Sequence, residues 1–237
     1  MPRPYASHEE GHHRDVQSGG ARAAVFGISD GLVTNVSLIL GVAGAAPGGT
    51  FVRLTGLAGL VAGAFSMAAG EYVSMRAQRE LLQRELEVER QALEHSPQAE
   101  RQELAAIYER RGLSPAFARE LVEMMMRDPE TALETHAREE LGIDPSSLGS
   151  PIAAALSSFV TFGIGALLPL IPWLFTGGTG ALLGSIAVGA VAAFSVGFIL
   201  GALTGRSKVR VGLRQLGVAA VAAAVTYGVG RAVGAHA

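Results

Sequence analysis

The stretch FGISDGLVTNVSLILGVAG, residues 26–44, decides the fold class of this chain. It is apolar enough for the interior of a membrane, yet it carries a carboxylate, Asp30, near its start. A charged side chain near the bilayer centre costs at least ~2.5–3.5 kcal/mol, so it normally faces a partner, a water-filled cavity or an ion. The stretch therefore predicts a membrane-spanning helix that contains a functional site.

Oxygen-bearing side chains follow Asp30 within two helical turns, namely Thr34, Asn35 and Ser37. Oxygen ligands of this kind suit hard or borderline cations. Gly27 and Gly31 form a small face beside Asp30, and small residues let helices approach closely in lipid. We therefore expect Asp30 to point at another helix and to take part in a cation path.

The composition divides the chain into an apolar majority and one polar insert. Of the 237 residues, 49% are hydrophobic and 31 are glycine. Residues 77–145 hold 16 of the 21 acidic residues against 9 basic ones, an asymmetry that the net charge of −2 hides. The sequence contains no cysteine, which excludes disulfides, thiolate metal sites and thiol catalysis.

Five segments are long enough to cross a hydrocarbon core of ~30 Å, which takes about 20 residues of helix. They are residues 21–46, 54–75, 151–175, 180–203 and 213–233. The second segment carries Met67 and, one turn further on, Glu71, so both side chains can line one helix face. Pro169 and Pro172 predict a kink or an end in the third segment, with Trp173 at the membrane interface. The chain is therefore predicted to be an all-α membrane protein.

The polar insert continues the second span without a helix breaker, so we predict one long helix that leaves the membrane. Three further helix starts follow, each with a capping residue and then proline, at residues 96–97, 114–115 and 128–129. Their predicted ends lie near Gly112, Met126 and Gly142. The predicted organisation is a mobile N-terminal tail (1–20), two spans (21–75), an acidic helical metal-binding insert (76–145) and three spans (146–237).

The N-terminal tail is polar and lacks an apolar period, so we expect it to be mobile and to contain no cleavable signal peptide. Glu9 with His12 and Glu10 with His13 have the spacing of metal-ligand pairs on a helix. The tail offers no apolar face to hold such ligands in place. We interpret it as a solvated segment, with weak metal collection as the alternative.

Carboxylates and one histidine recur along the insert at spacings of three and four, which puts potential ligands on single helix faces. Such pairs are Glu85 with Glu89, Glu100 with Glu103, and His136 with Glu140. An ordinary solvated helix surface, with ion pairs such as Glu80 and Arg84, produces the same pattern without a metal. Taken alone, the spacing favours the solvated surface and leaves a metal site as the alternative.

The sequence also bears on mechanism and orientation. It has no phosphate-binding loop, and its glycine-rich runs lie inside spanning helices where no strand precedes them, so we predict that the chain is not an enzyme. Any transport would then be driven by a gradient. With the N-terminus inside, only Arg53 and Arg231 of all the lysine and arginine residues lie outside, which predicts a cytoplasmic N-terminus and insert.

Three motifs, in this order and spacing, resemble the vacuolar iron transporter family over about residues 20–234. They are SDGL at 29–32, SMAAGEY at 66–72 and, after the acidic insert, ELG at 140–142. The resemblance, to a bacterial-type member, implies a homodimer that exchanges Fe²⁺ or Mn²⁺ for protons along a path between protomers. It implies that Asp30 and Met67 line this path and that insert carboxylates bind metal near the cytoplasmic mouth.

The resemblance also assigns ligands within the insert. Glu100, Glu103 and Glu140 fall on metal-ligand positions of the family, and Glu89 is the match on the first insert helix. Plant relatives place a methionine pair where this chain has His136 and Ala137. Histidine is a harder ligand than methionine, so this difference favours Mn²⁺ as a candidate ion. The resemblance also implies that Ala92 replaces an acidic ligand on the first insert helix, unless a shift of one turn brings Glu85 or Glu94 to that position.

Together these observations predict a secondary transporter that moves Fe²⁺ and/or Mn²⁺ out of the cytoplasm by proton antiport, in a bacterial inner membrane. The predicted path residues are Asp30, Asn35, Met67 and Glu71, and the predicted metal ligands are Glu89, Glu100, Glu103, His136 and Glu140. Zn²⁺ and Co²⁺ are further candidate ions, and we expect no permanently bound cofactor and no nucleic-acid partner. The alternative is a membrane-anchored protein that stores or senses metal without transporting it.

Overall fold

The computed structural model describes residues 19–45, 48–142, 144–145 and 148–235. Residues 1–18, with both Glu-x-x-His pairs of the predicted tail, lie outside the described part. Within the described residues the regular structure is eight α-helices. They are α1 (Gly19–Gly44), α2 (Gly49–His95), α3 (Pro97–Arg110), α4 (Pro115–Met125), α5 (Pro129–Glu139), α6 (Pro151–Phe175), α7 (Gly178–Leu203) and α8 (Lys208–Gly234).

Five of these helices, α1, α2, α6, α7 and α8, are long and apolar enough to cross a membrane. This confirms the predicted all-α membrane fold with five spans. The fifth span begins at Lys208 rather than at residue 213, since the long basic side chains of its first turns can reach water from a helix end.

Helix α2 is a single helix of 47 residues, as the lack of a breaker predicted. At 1.5 Å per residue it is about 70 Å long, more than twice the thickness of a hydrocarbon core. Its apolar first half and charged second half therefore belong to different environments.

The chain forms two compact units. One, which we call the membrane unit, comprises Met1–Tyr72 and Pro151–Ala237, and the other, the insert unit, comprises Val73–Ser150. Helix α2 passes from the first unit into the second, and α3, α4 and α5 belong to the insert unit alone.

Glycine contacts bring α1 close to its neighbours in the membrane unit. A Cβ atom on Gly31 would lie 2.2 Å from the carbonyl oxygen of Phe162 on α6. A Cβ atom on Gly230 of α8 would lie 1.8 Å from the carbonyl oxygen of Gly41. No side chain fits at either crossing, so these small residues determine which faces of α1 meet α6 and α8.

The prolines of α6 do not end that helix, which continues to Phe175. Polar side chains from neighbouring helices bond to carbonyl groups near the prolines, and Ser185 Oγ donates to the Pro169 oxygen at 2.6 Å. Trp173, for which we predict a position at the membrane interface, lies two residues before the end of α6. Its side chain is buried in an apolar cluster with Ile39, Val52, Leu170 and Ala181, because four helices meet around it.

The insert unit has its own small apolar core between α3 and α4, formed by Leu104, Ala105, Ile107, Ala118 and Val122. The predicted caps of its later helices are present: Ser114 Oγ accepts a hydrogen bond from the Phe117 amide, and Asp128 Oδ2 from the Thr131 amide. Helix α5 ends at Glu139, before the predicted end at Gly142. Glu140 is consequently the C-cap residue of α5.

Candidate metal centre

Four of the five predicted metal ligands converge in the insert unit. Ligand atoms of Glu89, Glu100, His136 and Glu140 all lie within 4.8 Å of one another. They come from α2, α3, α5 and the C-cap of α5, respectively. We call this group of four residues the metal centre.

His136 lies in the middle of the metal centre and is fully buried. Its Nδ1 atom is 3.0 Å from Glu89 Oε1, 3.7 Å from Glu100 Oε2 and 3.8 Å from Glu140 Oε2. Glu89 and Glu100 are also buried, whereas Glu140 remains partly open to solvent. Three carboxylates thus surround one imidazole, and only one side of the group is exposed.

Several polar atoms of the metal centre are buried without a hydrogen bond of acceptable geometry. Among the described residues they include Glu89 Oε1 and both ring nitrogens of His136. Leaving a buried polar atom unpaired costs about 1–3 kcal/mol, more for charged groups. A cation held by these atoms would remove that cost, which distinguishes the group from an ordinary acidic surface.

The electrostatics also disfavour three ionised carboxylates without a cation. Burial, followed by the charges of Glu140, Glu100 and Glu103, raises the pKa of Glu89 to about 7. Burial likewise raises the pKa of Glu100 and of Glu140. At neutral pH a fraction of Glu89 is therefore protonated, and a metal ion that binds there must displace that proton.

The imidazole is suited to ligation. Burial lowers the pKa of His136, an effect that the charges of Glu100 and Glu103 partly oppose. A neutral imidazole has a lone pair available for a metal ion. One imidazole with three carboxylates suits Fe²⁺, Mn²⁺, Zn²⁺ or Co²⁺ better than softer ions.

Glu103, the fifth predicted ligand, is not part of the metal centre. It is exposed, one turn after Glu100 on α3, and it acts on the centre through its charge. Other carboxylates of the insert pair with arginine, as Glu87 does with Arg90 at 3.0 Å. The solvated-surface interpretation therefore describes much of the insert and fails where three helices meet.

The predicted path residues of α1 do not lie together in the membrane unit. Asp30 is exposed in the single chain and accepts a hydrogen bond from Thr34 Oγ1 at 3.2 Å. Asn35 is fully buried, and its Nδ2 donates to the Ala166 carbonyl oxygen at 2.5 Å. Five residues separate the two side chains, so they point about 140° apart around the helix. Within one chain Asp30 thus lacks the neighbouring helix that we expected, and Asn35 bonds to α6.

The two predicted path residues of α2 also have partners of their own. Met67 is partly buried and packs against the apolar cluster of Ala64, Phe162 and Ala166. Glu71 forms an ion pair with Arg22 at 3.0 Å. Sequence reasoning missed Arg22 as a partner, although a basic residue at the start of the first span was a usable signal.

Two short hydrolase-like patterns also occur in the sequence. Residues 27–31 match Gly-x-Ser-x-Gly, but they lie inside α1, where Ser29 Oγ accepts a hydrogen bond from Gln215 Nε2. A nucleophile elbow requires a strand-to-helix turn, which is not what surrounds this serine. Residues 8–12 match His-Glu-x-x-His and lie outside the described residues.

Fold and site together define an integral membrane protein with five candidate spans and a carboxylate–histidine centre of metal-ligand type. The family model described as the VIT family matches residues 21–231, and the chain belongs to that family.

Relatives resemble the chain over nearly its whole length. It is 33% identical over 232 residues to vacuolar iron transporter 1 of Oryza sativa subsp. japonica, covering 96% of this chain and 92% of that protein. It is 38% identical over 222 residues to the vacuolar iron transporter of Acanthamoeba castellanii, covering 90% and 78%. The Toxoplasma gondii vacuolar iron transporter is 32% identical over 237 residues, covering 94% and 77%. These relatives are named as transporters, in agreement with the prediction that the chain is not an enzyme.

Proposed function

We propose that this protein is a secondary transporter that moves Fe²⁺ and/or Mn²⁺ out of the cytoplasm in exchange for protons. The observation that carries the proposal is the convergence of Glu89, Glu100, His136 and Glu140 on one point. Its donor set suits these ions, and the relatives are named iron transporters. The insert unit collects the ion, and the membrane unit carries it.

Asp30 is the residue through which metal and proton movement are coupled. It lies eight residues beyond Arg22, where the apolar part of α1 begins, which is about 12 Å along the helix. A carboxylate at such a depth is stabilised by a bound cation or by a proton. If the metal ion and the proton occupy this carboxylate in turn, each metal ion that leaves is replaced by a proton, which couples the two movements.

A homodimer supplies the partner that Asp30 lacks within one chain. Asp30 is exposed at a depth where exposure to lipid is unfavourable. Helix α2 also exposes Ala62, Ser66 and Gly70, a small-residue face at a spacing of four. Such faces pack against other helices in lipid. We infer that a second copy covers these faces and that Met67 lies along the resulting path, as the family resemblance implies.

The distribution of basic residues supports an N-terminus and an insert on the cytoplasmic side of a bacterial inner membrane. The loop between α7 and α8 and the start of α8 carry Arg206, Lys208, Arg210 and Arg214, on the same side as the insert arginines. Positive residues in short loops favour the cytoplasmic face. Export from the cytoplasm then follows if the insert unit is the collecting side.

Metal flux into proteoliposomes tests this function. We expect the purified protein to transport Fe²⁺ or Mn²⁺ when the acceptor compartment is acidic, with protons moving in the opposite direction, as read by metal- and pH-sensitive dyes. The variant His136→Ala controls for the metal centre and is expected to slow transport at low metal concentration. Absence of flux for all of Fe²⁺, Mn²⁺, Zn²⁺ and Co²⁺ in correctly oriented vesicles would contradict the proposal.

A membrane-anchored storage or sensing protein is the second candidate. It is favoured by one observation, namely that the metal centre lies wholly within the insert unit and needs no membrane residue. This candidate predicts saturable metal binding without flux. The same vesicles therefore separate the two functions.

A further inference from the structure

Glu139 lies between the two α5 ligands, His136 and Glu140, and yet it is not part of the metal centre. Its Oε1 atom accepts a hydrogen bond from the Tyr108 hydroxyl at 3.3 Å, and its Oε2 atom pairs with Arg111. The Arg111 guanidinium in turn lies 5.8 Å from the centroid of the Tyr108 ring. Both partners of Glu139 come from the C-terminal end of α3 and the residue that follows it.

Tyr108 is fixed to the core of the insert unit. Its ring packs against the α3–α4 cluster that contains Leu104 and Val122, and its hydroxyl also lies 3.7 Å from Met125 Sδ. Burial and the adjacent Glu139 carboxylate raise the pKa of the phenol, so the hydroxyl stays protonated and donates. The hydrogen bond to Glu139 therefore joins the last residue of α5 to a rigid part of the unit.

The metal centre needs such an attachment because its own charges repel one another. Glu89, Glu100 and Glu140 approach within 4.8 Å, and Glu140 lies beyond the last residue of α5, at its C-cap. Without a cation, repulsion favours movement of Glu140 away from the other two carboxylates. Holding a ligand in place before binding reduces the cost of ordering it on binding.

We propose that Tyr108, acting through Glu139, is a positioning residue that holds His136 and Glu140 in reach of a divalent cation at the metal centre. This inference rests on the proposed function only in taking the metal centre to bind the transported ion. Tyr108 itself is not one of the four candidate ligands. Tyr108 thus pre-organises the metal centre without being a ligand.

Co²⁺ binding to the full-length protein in detergent tests the proposal, because the visible absorption of Co²⁺ reports the geometry of its ligands. Tyr108→Phe removes one hydroxyl and no charge. We expect it to weaken Co²⁺ binding about threefold to tenfold and to change the absorption spectrum, as loss of one hydrogen bond allows. Glu139→Gln should act in the same direction and serves as the second variant if Tyr108→Phe does not fold.

Glu134→Gln is the matched control. Glu134 is another α5 carboxylate that pairs with an arginine, Arg138, at 2.6 Å. The control removes the same charge as Glu139→Gln but no contact with Tyr108, so we expect less than about a twofold change in Co²⁺ affinity, the size of a screened surface effect.

Three results would be informative. If Tyr108→Phe lowers the unfolding temperature without metal but leaves the Co²⁺ affinity and spectrum unchanged, Tyr108 is only a packing residue and the inference is wrong. If Glu134→Gln weakens binding as much as Glu139→Gln while Tyr108→Phe has no effect, the long-range field explains the result and the inference is again wrong. If Glu100→Gln leaves the wild-type Co²⁺ spectrum unchanged, the metal centre itself is refuted, which is a separate failure of the proposed function.

Discussion

The insert unit and the membrane unit arrange their predicted ligands in opposite ways. In the insert unit, four ligands from three helices meet within 4.8 Å inside one chain. In the membrane unit, Asp30 is exposed, Asn35 bonds to a backbone carbonyl and Glu71 bonds to Arg22. The first group of candidate ligands therefore forms within a single chain, whereas the second group is dispersed within it.

The difference follows from how each unit is held together. The insert unit docks its helices through an apolar core, and a buried ligand cluster can form beside it. In the membrane unit, glycine contacts such as Gly31 against Phe162 bring helices together along selected faces. Polar groups on the other faces, Asp30 among them, remain available to a second copy.

Asp30→Asn should reduce metal flux to the background of protein-free vesicles, because an amide cannot exchange a cation for a proton. The proposed dimer should form as in the wild type, as measured by light scattering of the purified protein. Thr34→Val is the matched control, since it removes the hydrogen bond to Asp30 and keeps the carboxylate. Near-normal proton-coupled transport by Asp30→Asn would remove this residue from the mechanism and leave the insert as the only metal site.

Glu100→Gln should weaken Mn²⁺ binding to the full-length protein about 10- to 100-fold, the range known for changes around metal ligands. Glu103→Gln, one turn away and exposed, should change it by less than about threefold, since only a screened charge is lost. Calorimetric titration measures both. Transport should fall without being abolished, because the membrane path remains. Equal effects of the two substitutions would mean that the cluster is a diffuse acidic field.

The pH dependence of stability should reverse when metal is added. A carboxyl group with a raised pKa stabilises the metal-free fold at low pH, and that contribution is lost as pH rises through the folded pKa, about 7 for Glu89. In the window from about pH 6.5 to 8, His136, whose pKa is lowered, is neutral in the folded protein. Its unfolded form still loses a proton just above pH 6.5, which offsets part of this loss.

We therefore expect the unfolding free energy of the metal-free protein, and with it the unfolding temperature, to fall over that window, by on the order of 1 kcal/mol at most. With saturating Mn²⁺ this decrease in stability with rising pH should vanish or change sign, because the deprotonated carboxylate is the form that binds the metal. Differential scanning calorimetry of wild type and Glu89→Gln measures the effect. A metal-free stability that rises from pH 6.5 to 8 would show that the centre is already neutralised by other contacts.

Met67→Leu should have the smallest effect. Leucine keeps the packing against Phe162 and Ala166, and such swaps usually cost less than about 1.5 kcal/mol of stability. Loss of the thioether should shift the ratio of Fe²⁺ to Mn²⁺ transport toward the harder Mn²⁺ by about threefold. Competition between the two ions in the flux assay measures this ratio. An unchanged ratio would assign Met67 to packing.

Much of the fold was predictable because it depends on local sequence. The lengths of the apolar segments predicted the five spans, and the absence of a helix-breaking residue after Met75 predicted a continuous α2. Ser114 and Asp128 mark helix starts through hydrogen bonds to amides only three residues away. The burial of Trp173 was not predictable, since it depends on four helices that are distant in sequence.

The candidate site was only partly predictable. The family resemblance pointed to Glu89, Glu100, Glu103 and Glu140, of which Glu103 lies outside the cluster. The spacing of carboxylates alone did not separate these residues from exposed neighbours such as Glu85. Asp30 is exposed and Asn35 is buried, because side chains five positions apart point about 140° apart around a helix. Their joint role in a cation path stays a prediction.

Composition and contacts within a few residues are sufficient to predict the helical class, the number of spans and the acidic character of the insert, and to exclude cysteine chemistry. Which acids cluster depends instead on how the helices pack. Residues 89, 100 and 136 come together only when α2, α3 and α5 pack, and burial then raises the pKa of Glu89 and leaves the nitrogens of His136 without a hydrogen bond. Helical periodicity is identical for a solvated face and a ligand face, and packing alone distinguishes them.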